Sequence, residues 1–183
     1  VIVPEGIIFQ SATAYKALRK LLVEKNFLYG VVSLPAGLFQ PYSGVKTSVL
    51  LLDKTLAKKT DKILFVKIEN DGYSLGAQRK ELSTSDLPDA TNFIKQYITA
   101  IRNNDFSLID FENLPLNSIA VDKNRITENG DYILSFDRYN IQEIVNYKFD
   151  LIELGDVCDI KTGKKDVNYS TPDGQFPFFT CAA

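Results

Sequence analysis

Two aromatic residues stand in a short loop that is rich in proline and glycine. Phe39 and Tyr42 lie between two apolar runs, residues 31–34 and 48–52. The loop also contains Pro35, Gly37, Pro41 and Gly44. Proline fixes backbone angles and glycine permits unusual ones, and ordered loops on a sheet commonly carry binding groups. We therefore expect this loop to present a binding group, the alternative being that Phe39 folds back as a lid on the sheet edge.

The other residue patterns with chemical potential are incomplete. Gly163-Lys164 lacks the upstream glycine of a P-loop, and Lys165 stands where that motif has Ser or Thr. Two pairs of carboxylates lack a neighbouring group that would orient them for acid–base work: Asp110 with Glu112, and Asp86 with Asp89. We interpret these pairs as solvated surface groups. The chain has no histidine, so a zinc or serine-hydrolase site confined to it is not expected.

Composition is typical of a globular protein. The 183 residues include 45% hydrophobic and 24% charged residues, enough for one sizeable core or two small ones. The formal net charge of −2 argues against a small autonomous DNA-binding module. No apolar run approaches the roughly 20 residues that cross a bilayer, so we expect a cytoplasmic location and no membrane contact. The sequence has no Met and opens inside an apolar run, and we expect it to be a piece of a longer protein.

The first third of the chain predicts strand, helix, strand, loop and strand. Residues 1–3 form a β-branched run that Pro4 ends, and a helix is expected from Ser11 or Thr13 to about Lys25. Its predicted apolar face comprises Ala14, Leu18, Leu21 and Leu22, and its predicted solvated face Arg19, Lys20 and Lys25. The next strand, residues 27–34, is almost entirely apolar, as expected when both faces of a sheet are covered. This order favours an α/β layered domain.

The remainder is more varied. A strand is expected over residues 63–68, followed by a segment dense in turn signals. A helix then starts near residues 86–89 with Pro88 in its first turn, and its apolar stripe comprises Phe93, Ile94, Tyr97, Ile98 and Ile101. Small strands are expected within residues 106–135 and a short helix from Ile141 to about Tyr147. A new pattern begins at Leu151, so we place a boundary near residue 150.

Six stretches of the sequence resemble known proteins. Residues 1–9 (VIVPEGIIF) and 34–54 (LPAGLFQPYSGVKTSVLLLDK) resemble the carboxyl-terminal half of the catalytic domain of N6-adenine DNA methyltransferases from restriction–modification systems. The similar proteins are type I modification subunits and fused type II relatives. Residues 66–89 and 129–139 (NGDYILSFDRY) resemble later segments of the same subunit. Residues 154–165 (LGDVCDIKTGKK) and 176–182 (FPFFTCA) resemble the opening of a target-recognition domain of a specificity subunit.

The resemblance implies an α/β architecture in three parts. Residues 1–68 would be the carboxyl-terminal portion of a Rossmann-like methyltransferase sheet, and residues 47–52 its antiparallel last strand. Residues 69–150 would form an α+β extension of helices and loops. Residues 151–183 would begin the DNA-recognition domain.

The resemblance also implies a chemistry and two site residues. The family transfers a methyl group from S-adenosylmethionine to the exocyclic amine of adenine, a base that must first be flipped out of the duplex. It places an aromatic residue in the loop between its last two strands, a position that Phe39 matches, and Tyr42 would shape the rim of the pocket. The family's glycine-rich cofactor loop and its Asn/Asp-Pro-Pro-aromatic catalytic motif are not in this sequence. We therefore expect no catalytic or cofactor-binding residue here, and a fragment that is inactive alone.

Two other interpretations remain open. In the first, the chain is a non-catalytic DNA-recognition or assembly module, in which Lys161, Lys164 and Lys165 contact DNA phosphates. In the second, it is a degenerate methyltransferase-like scaffold. The expected partners are double-stranded DNA and the specificity or restriction subunits of the same system. An exposed sheet edge would also favour self-association of the fragment.

Overall fold

A computed structural model describes residues 1–76, 78–140 and 152–159. The strands in this part of the chain are β1 (Ile2–Pro4), β2 (Leu28–Ser33), β3 (Thr47–Leu52), β4 (Lys62–Lys67) and β5 (Asn117–Asp122). The helices are α1 (Gly6–Phe9), α2 (Thr13–Glu24), α3 (Lys54–Ala57), α4 (Leu87–Asn103), α5 (Lys123–Thr127), α6 (Phe136–Tyr139) and α7 (Leu154–Val157). None of the described helices combines the length and apolar character that a membrane crossing requires.

The five strands form one mixed sheet in the order β1-β3-β2-β4-β5. β3 lies antiparallel between β1 and β2, while β2 and β4 pair in parallel. β5 closes the other side, antiparallel to β4. β1, β2 and β4 therefore run in the same direction, and their carboxyl ends share one edge of the sheet. The predicted α/β class and antiparallel strand over residues 47–52 are confirmed.

Both faces of the sheet are covered, as the apolar run of β2 predicts. Alternate β4 side chains enter two separate cores, with Ile63 and Phe65 on one face and Leu64 and Val66 on the other. The first core is completed by α1, α2, α5 and α6, and the second by α3 and α4. α4 carries the predicted stripe, with Pro88 in its first turn and Asn104 in the left-handed conformation after its last residue. The described residues up to Asn140 are thus layered helix, sheet, helix.

The predicted faces of α2 are wrong in part: Leu22 is buried and Lys20 and Lys25 are exposed as expected, but the other assignments fail. Leu18 and Leu21 are exposed, whereas Arg19 is only 1% exposed. The Arg19 guanidinium donates to three backbone carbonyls: Ile7 O (2.8 Å), Gln10 O (3.0 Å) and Asp131 O (2.9 Å from Nη2). A buried cation is tolerated when its donors are satisfied. Arg19 thereby joins α1, α2 and the chain before α6, a role that amphipathic spacing does not reveal.

The shorter helices and strands agree only in part with the sequence prediction. Gly6–Phe9 form the single-turn helix α1, and Lys54–Ala57 form α3, in which the amides of Thr55 and Leu56 donate to the side chain of Asp53. Residues 106–135 contain one strand, β5, and the helix α5. The helix expected over 141–147 lies outside the described residues.

The chain divides into two compact units, residues 1–142 and 143–183. In the first unit, α4 and β5 pack on or pair with the same sheet as residues 1–68. The described part of the second unit contains α7. The boundaries expected at residues 68 and 150 of the longer protein remain predictions.

Replacing Arg19 by Ala is expected to lower the free energy of unfolding by about 3 kcal/mol, because the carbonyls of Ile7, Gln10 and Asp131 lose their partly buried hydrogen bonds to the guanidinium. Urea unfolding followed by circular dichroism measures the change. Lys20→Ala is the matched control on the same helix. Lys20 is 56% exposed and lies 3.9 Å from Glu24, so its loss should change the free energy by about 0.5 kcal/mol or less. Equal effects of the two substitutions would contradict the structural role of Arg19.

Candidate functional site

The loop from residue 34 to residue 46 leaves the sheet at the edge where the parallel strands end. It connects β2 to β3, which are antiparallel neighbours with Ser33 opposite Ser48. In open α/β sheets, ligands commonly bind at the carboxyl ends of the strands. The sequence-predicted residues Phe39 and Tyr42 both lie in this loop, which we call the aromatic loop.

Backbone and charge contacts hold the base of the aromatic loop. The amide of Leu34 donates to the carbonyl of Thr47 at 3.0 Å, and the amide of Glu5 donates to the carbonyl of Lys46 at 2.9 Å. The Lys46 ammonium lies 2.7 Å from the Glu5 carboxylate, with both side chains less than one-third exposed. The end of the loop is therefore tied to the residue that follows β1.

The interior of the loop is organised around the carbonyl of Phe39. The amides of Tyr42 and Ser43 both donate to it, at 2.9 and 3.0 Å, and the amide of Gln40 donates to the carbonyl of Gly37 at 3.1 Å. Gly37 has a φ of +79°, a conformation that glycine adopts without steric cost. The loop is thus a sequence of hydrogen-bonded turns with a defined backbone.

The side chains of the loop divide between the core and the surface. Leu38 packs against the core on the α4 side of the sheet. Phe39 is 39% exposed and Tyr42 is 94% exposed. The loop therefore presents part of one aromatic ring and nearly all of another, a surface suited to stacking against a planar group.

An arginine that the sequence interpretation did not select contacts the aromatic loop. Arg79 lies between β4 and α4, and its Nη1 donates to the carbonyl of Leu38 at 2.7 Å. Its Nη2 donates to both carboxylate oxygens of Asp71. The sequence signal for this contact is the turn Asn70-Asp71-Gly72. The turn reverses the chain and so brings the Asp71 carboxylate beside the Arg79 guanidinium, eight residues later. Such a pair is visible only once a hairpin is assumed.

A third ion pair lies at the same edge of the sheet. Lys67, the last residue of β4, donates to Asp137 of α6 at 2.9 Å, and Glu69 lies 3.8 Å away. The hydrogen bond to Asp137 raises the pKa of Lys67. This contact places part of the predicted motif at residues 129–139 at the carboxyl end of β4.

Lys161, Lys164 and Lys165 lie outside the described residues. Within residues 1–76, 78–140 and 152–159, no cluster of His, Cys, Asp or Glu has the arrangement of a metal site. A surface cavity of about 390 Å³ lies along α4, between Lys95 and Ile109, and no residue of the aromatic loop lines it.

Comparison with known proteins gives a family match over most of the chain. The family model described as N-6 DNA Methylase matches residues 1–146. Among curated proteins, the methylase subunit of the type I restriction enzyme EcoEI from Escherichia coli is 41% identical over 54 residues, which are 30% of this chain and 11% of that protein. The specificity subunit of the type I restriction enzyme EcoDI from Escherichia coli is 55% identical over 31 residues, 17% of this chain and 7% of that protein.

A solved structure shares the fold. A chain from a study of complex assembly and conformational transition of the type I R-M system aligns with a TM-score of 0.53 and 26% identity, over 73% of this chain and 26% of that chain. The present chain thus spans about a quarter of the solved protein and about a tenth or less of the curated ones.

The exposure of the two aromatics predicts how their removal affects stability. Tyr42→Ala should change the free energy of unfolding by about 0.5 kcal/mol or less, and Phe39→Ala should lower it by about 1 kcal/mol, because only part of the ring is buried. Phe65→Ala in the core is the matched control. Phe65 is fully buried, so its loss should cost about 3–5 kcal/mol. A loss for Phe39→Ala as large as that for Phe65→Ala would support the alternative that Phe39 is a lid on the sheet.

Proposed function

Because this chain belongs to the N-6 DNA methylase family, we propose that it is part of a site-specific DNA adenine-N6 methyltransferase of a restriction–modification system. In this proposal residues 1–68 supply four strands of the catalytic sheet, residues 69–150 form the adjoining extension, whose strand β5 pairs with β4, and residues 151–183 begin a target-recognition domain. The match to a type I methylase subunit supports a methyltransferase assignment for part of the chain. The full activity is a property of the longer protein, which operates on DNA and hence in the cytoplasm.

The observation that carries the proposal is the partly exposed ring of Phe39 on a hydrogen-bonded loop at the carboxyl edge of the sheet. The exocyclic amine of adenine is inaccessible inside a duplex, so the base must be extruded and held. Stacking on an aromatic ring stabilises an extruded base by roughly 1–3 kcal/mol. We assign this contact to Phe39 and the rim of the base pocket to Tyr42.

S-adenosylmethionine is the methyl donor that the proposal implies, and we assign its binding to other parts of the longer protein. At the carboxyl edge of the sheet, the charged groups of the described residues already pair with one another: Glu5 with Lys46, and Lys67 with Asp137. These residues do not fit the cofactor, so we derive no step of methyl transfer from them. The contribution of this chain is to bind and orient the target base.

Replacing Phe39 by Ala in the complete enzyme should weaken capture of the target base by about ten- to a hundredfold, because the stacking energy is lost. Single-turnover methylation measures the rate, and 2-aminopurine at the target position reports extrusion as a rise in fluorescence. Phe39→Tyr keeps the ring and should retain most of both signals.

Leu108→Ala is the surface control for the Phe39 experiment. Leu108 is 94% exposed and lies outside the aromatic loop, so its loss should leave the methylation rate within about twofold, as is usual for a surface position. A Phe39→Ala enzyme with the wild-type rate and fluorescence would remove Phe39 from this role.

A second function, DNA recognition through the carboxyl-terminal part, is favoured by the 31-residue match to a specificity subunit. In this case Lys161, Lys164 and Lys165 contact DNA phosphates, and the partners are double-stranded DNA and the specificity or restriction subunits of the same system. Association between copies of the fragment is also proposed. It would use the edge of β1 that no described strand covers, where Val1 and Ile2 are exposed.

Neutral replacement of each of the three lysines should lower the slope of log K against log salt by about one unit, because each lost phosphate contact releases one counterion fewer. Binding of the complete protein to duplex DNA is measured between about 50 and 200 mM salt. Lys80→Gln, on an exposed turn of the first unit, serves as the control and should leave the slope unchanged. An unchanged slope for all three lysine variants would exclude this phosphate-binding role.

A further inference from the structure

Arg79 has its guanidinium held in one orientation by a nearly buried carboxylate. Its side chain is 15% exposed and that of Asp71 is 5% exposed. Nη2 donates to both oxygens of Asp71, 2.6 Å from Oδ1, and Nε lies 3.5 Å from the carbonyl of Ser74. This leaves Nη1 directed at a single acceptor, the carbonyl of Leu38, at 2.7 Å. Because the guanidinium is planar and rigid, its two acceptors, the Asp71 carboxylate and the Leu38 carbonyl, are held in fixed positions relative to each other.

The position of Asp71 is itself fixed to the end of β4 and the start of α4. Asp86, just before α4, accepts hydrogen bonds from the amides of Glu69 and Asn70 at 2.9 and 2.8 Å. The amide of Ile68 donates to the carbonyl of Ser33 at 2.9 Å, which ties the same segment to the end of β2. Asp71 is thus anchored to two elements of the sheet and one helix.

The hairpin that carries Arg79 closes on itself. Tyr73 and Glu81 form an antiparallel bridge, and the amide of Ser74 donates to the carbonyl of Lys80 at 2.8 Å. The guanidinium of Arg79 also lies over the ring of Tyr73, 5.4 Å from its centroid. Arg79 therefore reaches the aromatic loop from a constrained backbone.

The contact to Leu38 acts on the residue that follows it. The carbonyl of Leu38 and the amide of Phe39 belong to one planar peptide unit. A hydrogen bond that fixes the carbonyl therefore also fixes the orientation of the Phe39 amide. The next peptide unit is fixed as well, because the carbonyl of Phe39 accepts from the amides of Tyr42 and Ser43. Both peptide units that flank Phe39 are therefore held, and its side chain remains partly exposed.

We propose that Arg79, held by Asp71, is a positioning residue that presets the aromatic loop for the extruded base. The proposal rests on the function assigned to Phe39 and adds the residues that orient it. A ring held before binding loses less conformational freedom when a base stacks on it, so Arg79 affects base capture without touching the base or the cofactor.

The test uses the complete methyltransferase with Arg79→Lys and Lys80→Ala as a matched pair on the same hairpin. Arg79→Lys keeps the charge beside Asp71, which protects folding, but a lysine lacks the fork that reaches Asp71 and Leu38 together. Lys80 is exposed, and Lys80→Ala leaves its backbone contacts in place. The readouts are amide hydrogen exchange in the aromatic loop, single-turnover methylation, 2-aminopurine fluorescence and cofactor affinity.

Arg79→Lys should speed exchange at the amides of Tyr42 and Ser43 about tenfold and lower the methylation rate and the fluorescence signal about tenfold. Its cofactor affinity should stay within twofold of wild type, and Lys80→Ala should stay within twofold in every measurement. Combined with Phe39→Ala, Arg79→Lys should lower the methylation rate by less than a further twofold, because its effect passes through Phe39.

Two results would overturn the proposal. Unchanged exchange at Tyr42 and Ser43 would show that Arg79 does not hold the loop, and a full tenfold loss on top of Phe39→Ala would show that it acts elsewhere. Failure of the Phe39 assignment is a separate result. In that case Phe39→Ala alone keeps the wild-type rate, while hydrogen exchange still decides whether Arg79 orders the loop.

Discussion

The antiparallel insertion of β3 between β1 and β2 is the constraint on which the candidate site depends. A strand parallel to β2 would need a crossover connection of a dozen or more residues, commonly a helix. Because β3 runs the other way, residues 34–46 turn back at the same edge of the sheet. Pairing with β1 brings Thr47 opposite Pro4 and fixes the far end of the loop. The aromatic loop is thus a direct product of strand direction.

Ion pairs surround the aromatic rings at this edge of the sheet. Glu5 pairs with Lys46, Lys67 with Asp137, and Asp71 with Arg79. The last pair is the least exposed of the three, and buried pairs of this kind are stable only when their remaining donors are satisfied. The carbonyl of Leu38 satisfies one of those donors. The same interaction therefore stabilises the pair and orders the loop beside Phe39.

Elements with strong periodicity or continuous apolar character were predictable from the sequence. The stripe of α4 and the runs of β3 and β4 lie where the pattern placed them, since tertiary packing and local preference agree there. The buried face of α2 was not predictable. Arg19 is a charged residue, and it is buried because backbone carbonyls of residues distant in sequence accept its hydrogen bonds. The pairing of β5 with β4 likewise depends on contacts between residues that are fifty or more positions apart.

The candidate site was predictable only in part, because some of its residues give a local sequence signal and others depend on long-range contacts. Phe39 and Tyr42 stand out locally, because aromatics in a proline- and glycine-containing loop are unusual in sequence. Arg79 and Asp71 do not, since each is one of many charged residues and their relation to Leu38 spans about forty positions. Sequence patterns therefore identified the groups that the loop presents but not the groups that orient it.

The most direct measurement is a structure of the complete methyltransferase bound to duplex DNA that contains its target site and to a non-reactive cofactor analogue. We expect an adenine outside the duplex with its ring stacked on Phe39, Tyr42 at the rim, and Arg79 still donating to the carbonyl of Leu38. An adenine that is extruded but held by another aromatic residue, with Phe39 away from the base, would contradict this expectation.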